Sequence, residues 1–125
     1  MKAILKNYRQ SPRKMRLVAD AVRGKSVSEA RSILAFLPKV ATTPILKLLE
    51  SATSNAKENG KVDDVASLRI VTIFVDEGVT LKRFMPRARG SGARIRKRSS
   101  KVTLILREPT TNNSQPTTKS KAVKS

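Results

Sequence analysis

Leu68-Arg69-Ile70-Val71-Thr72-Ile73-Phe74-Val75 is a β-branched, apolar run too dense for a surface helix, and Val102-Thr103-Leu104-Ile105-Leu106 repeats its character near the far end of the chain. These two runs decide the fold. Read as strands, with the first extending over residues 65–75, they pair antiparallel and turn one face toward helices. Leu68, Ile70, Thr72 and Phe74 alternate there with Arg69, Val71, Ile73 and Val75, the period of a strand.

Between the two runs lies a segment of a different kind. From residue 82 to 101, Lys82, Arg83, Arg87, Arg89, Arg94, Arg96, Lys97, Arg98 and Lys101 occur without one acidic residue, so these cations have no partner within the stretch. Like charges at this density repel and favour extension, and a connection this long in a small domain marks function or disorder. The reading is an arm over residues 79–101: strand-like flanks hold its base as a hairpin, and Pro86, Gly90 and Gly92 make its distal part irregular. Phe84-Met85-Pro86 adds apolar purchase that a loop serving solubility alone does not need.

Upstream the period changes to that of helices. Ala3 to Tyr8 reads as a short edge strand, and Ser11-Pro12 then offers a cap and a first-turn proline. Met15, Val18, Ala19 and Val22 recur at helical spacing, Arg13, Arg16 and Arg23 fall on another face, and Gly24 supplies the stop. Ser26-Val27-Ser28-Glu29 has the spacing of a capping box and opens a second helix along Val27, Ala30, Ile33, Leu34 and Leu37, closed by Pro38. Thr43-Pro44 repeats the cap-then-proline signal for a third helix, with Ile45, Leu48, Leu49, Ala52 and Ala56 as its stripe and Asn59-Gly60 as its end. These stripes are read as core. The fold class is therefore α+β: a small three-helix body packed on a short antiparallel sheet, with a long extended β-hairpin arm. One domain spans residues 1–108. Residues 109–125 hold too few apolar side chains to offset the entropy of ordering and are expected to form a disordered tail.

Composition narrows the function. Lys and Arg number 27 against 9 Asp and Glu in 125 residues, a formal charge of +18. A field of this sign and size neutralises phosphates and releases their condensed counterions, so a polyanion is the expected partner. Three Phe, one Tyr and no Trp give no aromatic platform for stacking successive single-stranded bases, which favours recognition of shape and backbone. There is no His and no Cys, and Glu29, Glu50, Glu58, Asp63, Asp64, Asp76 and Glu77 are scattered over caps, turns and helix surfaces. Neither adjacent pair converges as acid–base or metal chemistry requires, so neither an enzyme nor a metal or cofactor site is expected. Gly90-Ser91-Gly92 lacks the lysine spacing and following helix of a phosphate loop. No run of about eighteen apolar residues occurs, and the apolar start is too short for a signal peptide, so neither a membrane span nor secretion is expected.

Phe74-Val75-Asp76-Glu77-Gly78, followed by Leu81-Lys82-Arg83-Phe84-Met85-Pro86-Arg87-Ala88-Arg89-Gly90, resembles the bacterial large-subunit ribosomal protein family twenty-two. Arg94-Ile95-Arg96-Lys97-Arg98-Ser99-Ser100 continues the likeness, as do Lys14-Met15-Arg16-Leu17-Val18-Ala19-Asp20, Arg23-Gly24-Lys25, and Leu49-Glu50-Ser51-Ala52 with Asn55-Ala56. The resemblance covers about residues 2–107. Val79 stands where the family often has proline, Ser91-Gly92 where a basic or larger residue is common, and Lys101 where histidine is frequent.

The resemblance implies a structural constituent of the large ribosomal subunit that binds 23S-type rRNA, supports subunit assembly, and sends its hairpin to the wall of the nascent-peptide exit tunnel. The expected rRNA contacts in the body are Lys6, Arg9, Arg13, Lys14, Arg16, Arg23 and Lys25; those in the arm are Lys82, Arg83, Phe84, Met85, Arg87, Arg89, Arg94, Arg96, Lys97, Arg98 and Lys101. Arg87, Ala88, Arg89, Gly90, Ser91, Gly92 and Ala93 form the expected tunnel-lining tip. Implied partners are neighbouring large-subunit proteins, including family four, and the nascent polypeptide, in a cytoplasmic or organellar ribosome and without homo-oligomerisation. The rival class is a DNA-binding architectural protein, with the helices meeting at Gly24-Lys25 read as a helix-turn-helix and the arm entering a minor groove. An anionic-lipid binder shares the charge but lacks a basic helix flanked by aromatic anchors.

Overall fold

The computed structural model describes residues 1–109. The elements run β1 (Lys2–Tyr8), α1 (Pro12–Val22), α2 (Val27–Phe36), α3 (Thr42–Glu58), β2 (Arg69–Glu77), β3 (Leu81–Pro86), β4 (Gly92–Lys97) and β5 (Ser100–Arg107). Short 3-10 turns precede β2 and cap the β3–β4 hairpin. β1, β5 and β2 form one antiparallel sheet in that order, and β3 and β4 form a second, two-stranded one. The fold is α+β, as expected.

Met15, Val18, Ala19 and Val22 of α1, Val27, Ala30 and Leu34 of α2, and Ile45, Leu49, Ala52 and Ala56 of α3 are buried together. They meet Ile70, Ile73 and Val75 of β2 and Val102, Leu104 and Leu106 of β5 in one cluster. Each large aliphatic side chain so buried contributes about 1.5–3 kcal/mol relative to exposure. The apolar stripes of all three helices are thus spent on the body's own core.

The helix signals translate unevenly into caps. Ser26 and Glu29 form both halves of the predicted capping box. Ser11 sits at the N-cap of α1, but its side chain makes no cap hydrogen bond and Pro12 alone sets the start. Thr43 is not a cap. α3 begins two residues earlier, with Ala41 at the N-cap, while the Thr42 hydroxyl donates to Lys39 O at 2.7 Å. Gly24 takes φ +79° just beyond α1, a conformation open to glycine at no steric cost.

The first β run is shorter and less regular than its pattern. Residues 65–67 form a 3-10 turn instead of strand, closed by Leu68 N–H donating to Val65 O and by the Ser67 hydroxyl donating to Asp64 O. Within β2 the pairing steps from Ile70 opposite Leu106 to Thr72 opposite Ile105, so Val71 is an extra, bulged residue. Side-chain parity flips there: Leu68 and Ile70 are buried before it, Ile73 and Val75 after it, and Phe74 is left 41% exposed.

The arm is more regular than expected. β3 and β4 pair from Leu81 opposite Lys97 out to Pro86 opposite Gly92, so only residues 87–91 are irregular. Ser100 and Lys101, assigned to the arm from sequence, belong to the body: Ser100 is in register with Tyr8 and Glu77, and Lys101 with Asp76. The disordered tail expected over 109–125 lies outside the described residues from residue 110 onward.

Candidate nucleic-acid interface

Among the described residues the one ion pair is Arg23 with Asp20, on the surface of α1. The other predicted contact residues make no such pair, and the fold gathers most of them in four places.

The first is the outer edge of β2, where the carbonyls not used by β5 would invite strand addition. Val27 N–H donates to Leu68 O at 2.8 Å and Gly24 N–H to Ile70 O at 3.1 Å. Beyond the bulge, Arg23 Nη2 donates to Ile73 O at 2.8 Å, and Arg16 donates through Nε and Nη2 to Val75 O at 3.3 and 3.2 Å. The outward carbonyls at 68, 70, 73 and 75 are thus all taken. Arg16 and Arg23, expected to face RNA, spend donors on holding α1 against this edge. Arg13 lies exposed on the same helix, and Lys25 sits at the α1–α2 joint, where its carbonyl accepts from Ile70 N–H at 2.9 Å.

The arm is the second place. Its register puts Lys82, Phe84, Arg94 and Arg96 on one face, with the Arg94 guanidinium 5.8 Å from the centre of the Phe84 ring. Leu81, Arg83, Met85, Ala93, Ile95 and Lys97 lie on the other. One face is cationic around an aromatic plane, and the other is largely apolar with two cations. Phe84 is 72% exposed, so this hairpin has no core of its own.

The third place is the tip. Arg87 N–H donates to Ser91 O at 2.8 Å, Gly90 N–H to Arg87 O at 3.2 Å, and the Ser91 hydroxyl to Ala88 O at 3.0 Å. Arg89 and Gly90 both have positive φ, 61° and 71°, which for Arg89 costs roughly 1–2 kcal/mol. Ala88 and Arg89 are exposed, and Gly92 and Ala93 begin β4.

The fourth is the shoulder between body and arm. Asn7 at φ +53° breaks the pairing of β1 between Leu5 and Tyr8, leaving Lys6 exposed at the irregularity and turning Arg9 and Gln10 toward the returning arm strand. The result is a cleft of about 420 Å³ lined by Tyr8, Arg9, Gln10, Ser11, Lys14, Val40, Arg96, Lys97 and Arg98. Sequence reasoning named its five cations separately. Tyr8, Gln10 and Ser11 were missed, since no spacing rule joins the end of β1 to residues 96–98.

Gly78 and Ser99 weld this shoulder. Gly78 N–H donates to Ser99 O at 2.9 Å, and the Ser99 hydroxyl donates to Val79 O at 2.6 Å across the point where one sheet gives way to the other. A Cβ on Gly78 would stand 2.5 Å from Ser99 Oγ, which is why glycine is required there.

An α+β body carrying an exposed basic hairpin coincides with the family model described as ribosomal protein L22p/L17e, which matches residues 3–107. The chain belongs to that family. L22p/L17e relatives include the large ribosomal subunit protein uL22 of Herpetosiphon aurantiacus, 53% identical over 105 residues, covering 84% of this chain and 92% of the relative. The uL22 of Deinococcus deserti is 52% identical over 107 residues (86% and 76%), and that of Desulfitobacterium hafniense 51% over 107 residues (86% and 93%). As a bacterial-type L22p/L17e member the chain is a structural constituent of the large ribosomal subunit, located in the ribosome and serving translation, and not an enzyme. No helix among the described residues is long and apolar enough to cross a membrane.

Proposed function

We propose that the protein binds 23S-type rRNA through both body and arm, supports assembly of the large subunit, and lines the nascent-peptide exit tunnel with the arm's tip. The observation that carries this reading is the β3–β4 hairpin, exposed along β3 and presenting cations and large apolar side chains together. A two-stranded hairpin with one aromatic and no packed face is marginal in water, so its order calls for a surrounding surface. Six paired residues at ~3.4 Å each reach roughly 20 Å before the tip, enough to enter a crevice in folded RNA. Arginine forks suit phosphates and exposed base planes along such a path.

In this reading Lys82, Arg83, Phe84, Met85, Arg94, Arg96, Lys97 and Arg98 contact rRNA along the arm, and residues 87–93 face the tunnel lumen and the nascent polypeptide. Arg9, Arg13, Lys14 and Lys25 contact rRNA from the body, with Lys6 and Lys101 at the sheet's surface. Neighbouring large-subunit proteins, family four among them at the tunnel, complete the surroundings, in a ribosome of the cytoplasm. The DNA-binding alternative is disfavoured at the α1–α2 joint: Ala30 and Leu34 of α2 are buried and Gly24 is bonded to β2, so α2 is not free to enter a groove. The test is binding to a large-subunit rRNA fragment by the whole chain and by a variant with residues 82–98 replaced by Asn-Gly. The whole chain should bind in a strongly salt-dependent way and the shortened one more weakly; equal affinity would remove the arm from the interface.

A further inference from the structure

We propose that the shoulder cleft is a seat for one strand of RNA backbone, gripped between body and arm, and that its occupation fixes the angle of the arm. The inference rests on the rRNA-binding reading and adds to it a discrete site and a mechanical role.

Arg9 and Lys14 reach the cleft from the body, and Arg96, Lys97 and Arg98 from the arm's returning strand and the joint below it. No carboxylate lines it. Five like charges brought to one concavity repel one another, and the fold holds them there through bonds that have nothing to do with neutralising them: the Asn7 break in β1 and the Gly78–Ser99 weld. A ligand with closely spaced negative charges relieves that repulsion, and successive phosphates of a nucleic-acid strand have that form. At about 420 Å³ the cleft falls within the roughly 300–1,000 Å³ span of small-ligand pockets, so it takes a short stretch of strand and not a duplex.

Two observations favour RNA over a simple anion. Tyr8 and Ser11, both hydroxyl-bearing, line the cleft beside the cations, and the amide-bearing Gln10 lines it between them. Hydroxyl and amide groups beside the cations suit the sugars and bases of a strand as well as its phosphates.

The mechanical role follows from topology. The body sheet and the arm sheet share no strand pairing, and they meet only through residues 78–80 and 98–99. The cleft's cations come from both sides of that narrow joint, so a bound strand ties the two sheets together.

The experiment uses the whole chain with Arg9, Lys14, Lys97 and Arg98 changed to Gln. The control carries Gln at Arg31, Lys39, Lys57 and Lys61, exposed cations outside the cleft and the arm. Binding of a large-subunit rRNA fragment should lose about three units of slope against log salt, at ~0.7 per phosphate contact, relative to the control. Both variants should keep the parent circular-dichroism spectrum; if the quadruple change disturbs it, the pair Arg9→Gln with Arg98→Gln is used and should lose about half that slope. The chain has no cysteine, so spin labels can be placed uniquely at Ser54→Cys on α3 and Ser91→Cys at the tip. Adding single-stranded RNA should narrow the label-to-label distance distribution in the otherwise unaltered chain and leave it unchanged in the cleft variant. Equal slopes for cleft variant and control would overturn the seat. Narrowing in both labelled proteins would overturn the mechanical role, and narrowing by inorganic polyphosphate as strong as that by RNA would overturn the assignment to RNA. A parent chain that binds no rRNA fragment at all would instead defeat the function on which the inference rests.

Discussion

Single residues carry two of the more exacting demands of this fold. Gly78 meets Ser99 so closely that an added methyl would overlap the hydroxyl that bridges to Val79. Gly78→Ala should lower stability by about 1–3 kcal/mol, the usual cost of overpacking, and removing the hydroxyl with Ser99→Ala should recover part of that loss in the double variant. Urea denaturation of the four proteins of the cycle checks this; strict additivity would mean that the two residues do not press on one another. Arg16 makes the second demand, donating twice to Val75 O at an edge with no strand partner. Arg16→Gln should destabilise the free protein by about 1 kcal/mol, less than the ~1.5–3 kcal/mol of a charged hydrogen bond because the side chain is partly solvated. Loss of rRNA affinity without loss of stability would return Arg16 to the RNA face.

At the scale of elements, the body and the arm are separable. Replacing residues 82–98 by an Asn-Gly turn removes the second sheet but none of the buried cluster, and it shortens the loop that β2 and β5 must close. The shortened chain should unfold cooperatively with a midpoint near that of the parent; a broad, non-cooperative transition in thermal denaturation would contradict the separation. Much of this division was legible in the sequence because it rests on local signals. The Ser26–Glu29 box, the prolines after Ser11 and Phe36, and the apolar periods of three helices each act within a few residues, and they located the helices to within about a turn. The uninterrupted cation run likewise announced the arm. What stayed hidden depends on distant partners. Val71 continues the alternation and reveals nothing of the bulge, which appears only when β2 is laid against β5. Arg16 and Arg23 read as a cationic face because only the tertiary fold brings β2 carbonyls to them. The shoulder cleft joins residues 8–14 to residues 96–98, and no short-range pattern spans that gap.

For the whole molecule the dominant quantity is a charge of +18. In the free protein that charge is self-repulsion, and on RNA it becomes binding, so salt should act with opposite signs on the two. Raising salt from about 50 to 200 mM should raise the melting temperature of the free chain by screening, while affinity for an rRNA fragment should fall by on the order of 10³ or more if six or more phosphates are neutralised. Calorimetry and filter binding on one preparation measure both; parallel trends would mean that binding is not governed by the exposed cations. Such a molecule should sit with its body held by rRNA and its arm passing inward. A density map of large subunits assembled with this chain measures that position directly. In that map β3 and β4 should be enclosed by rRNA, a backbone strand should lie at the shoulder cleft, and residues 87–93 should stand at the wall of the peptide exit tunnel; an arm lying free on the subunit surface, or a tip remote from the tunnel, would rule this placement out.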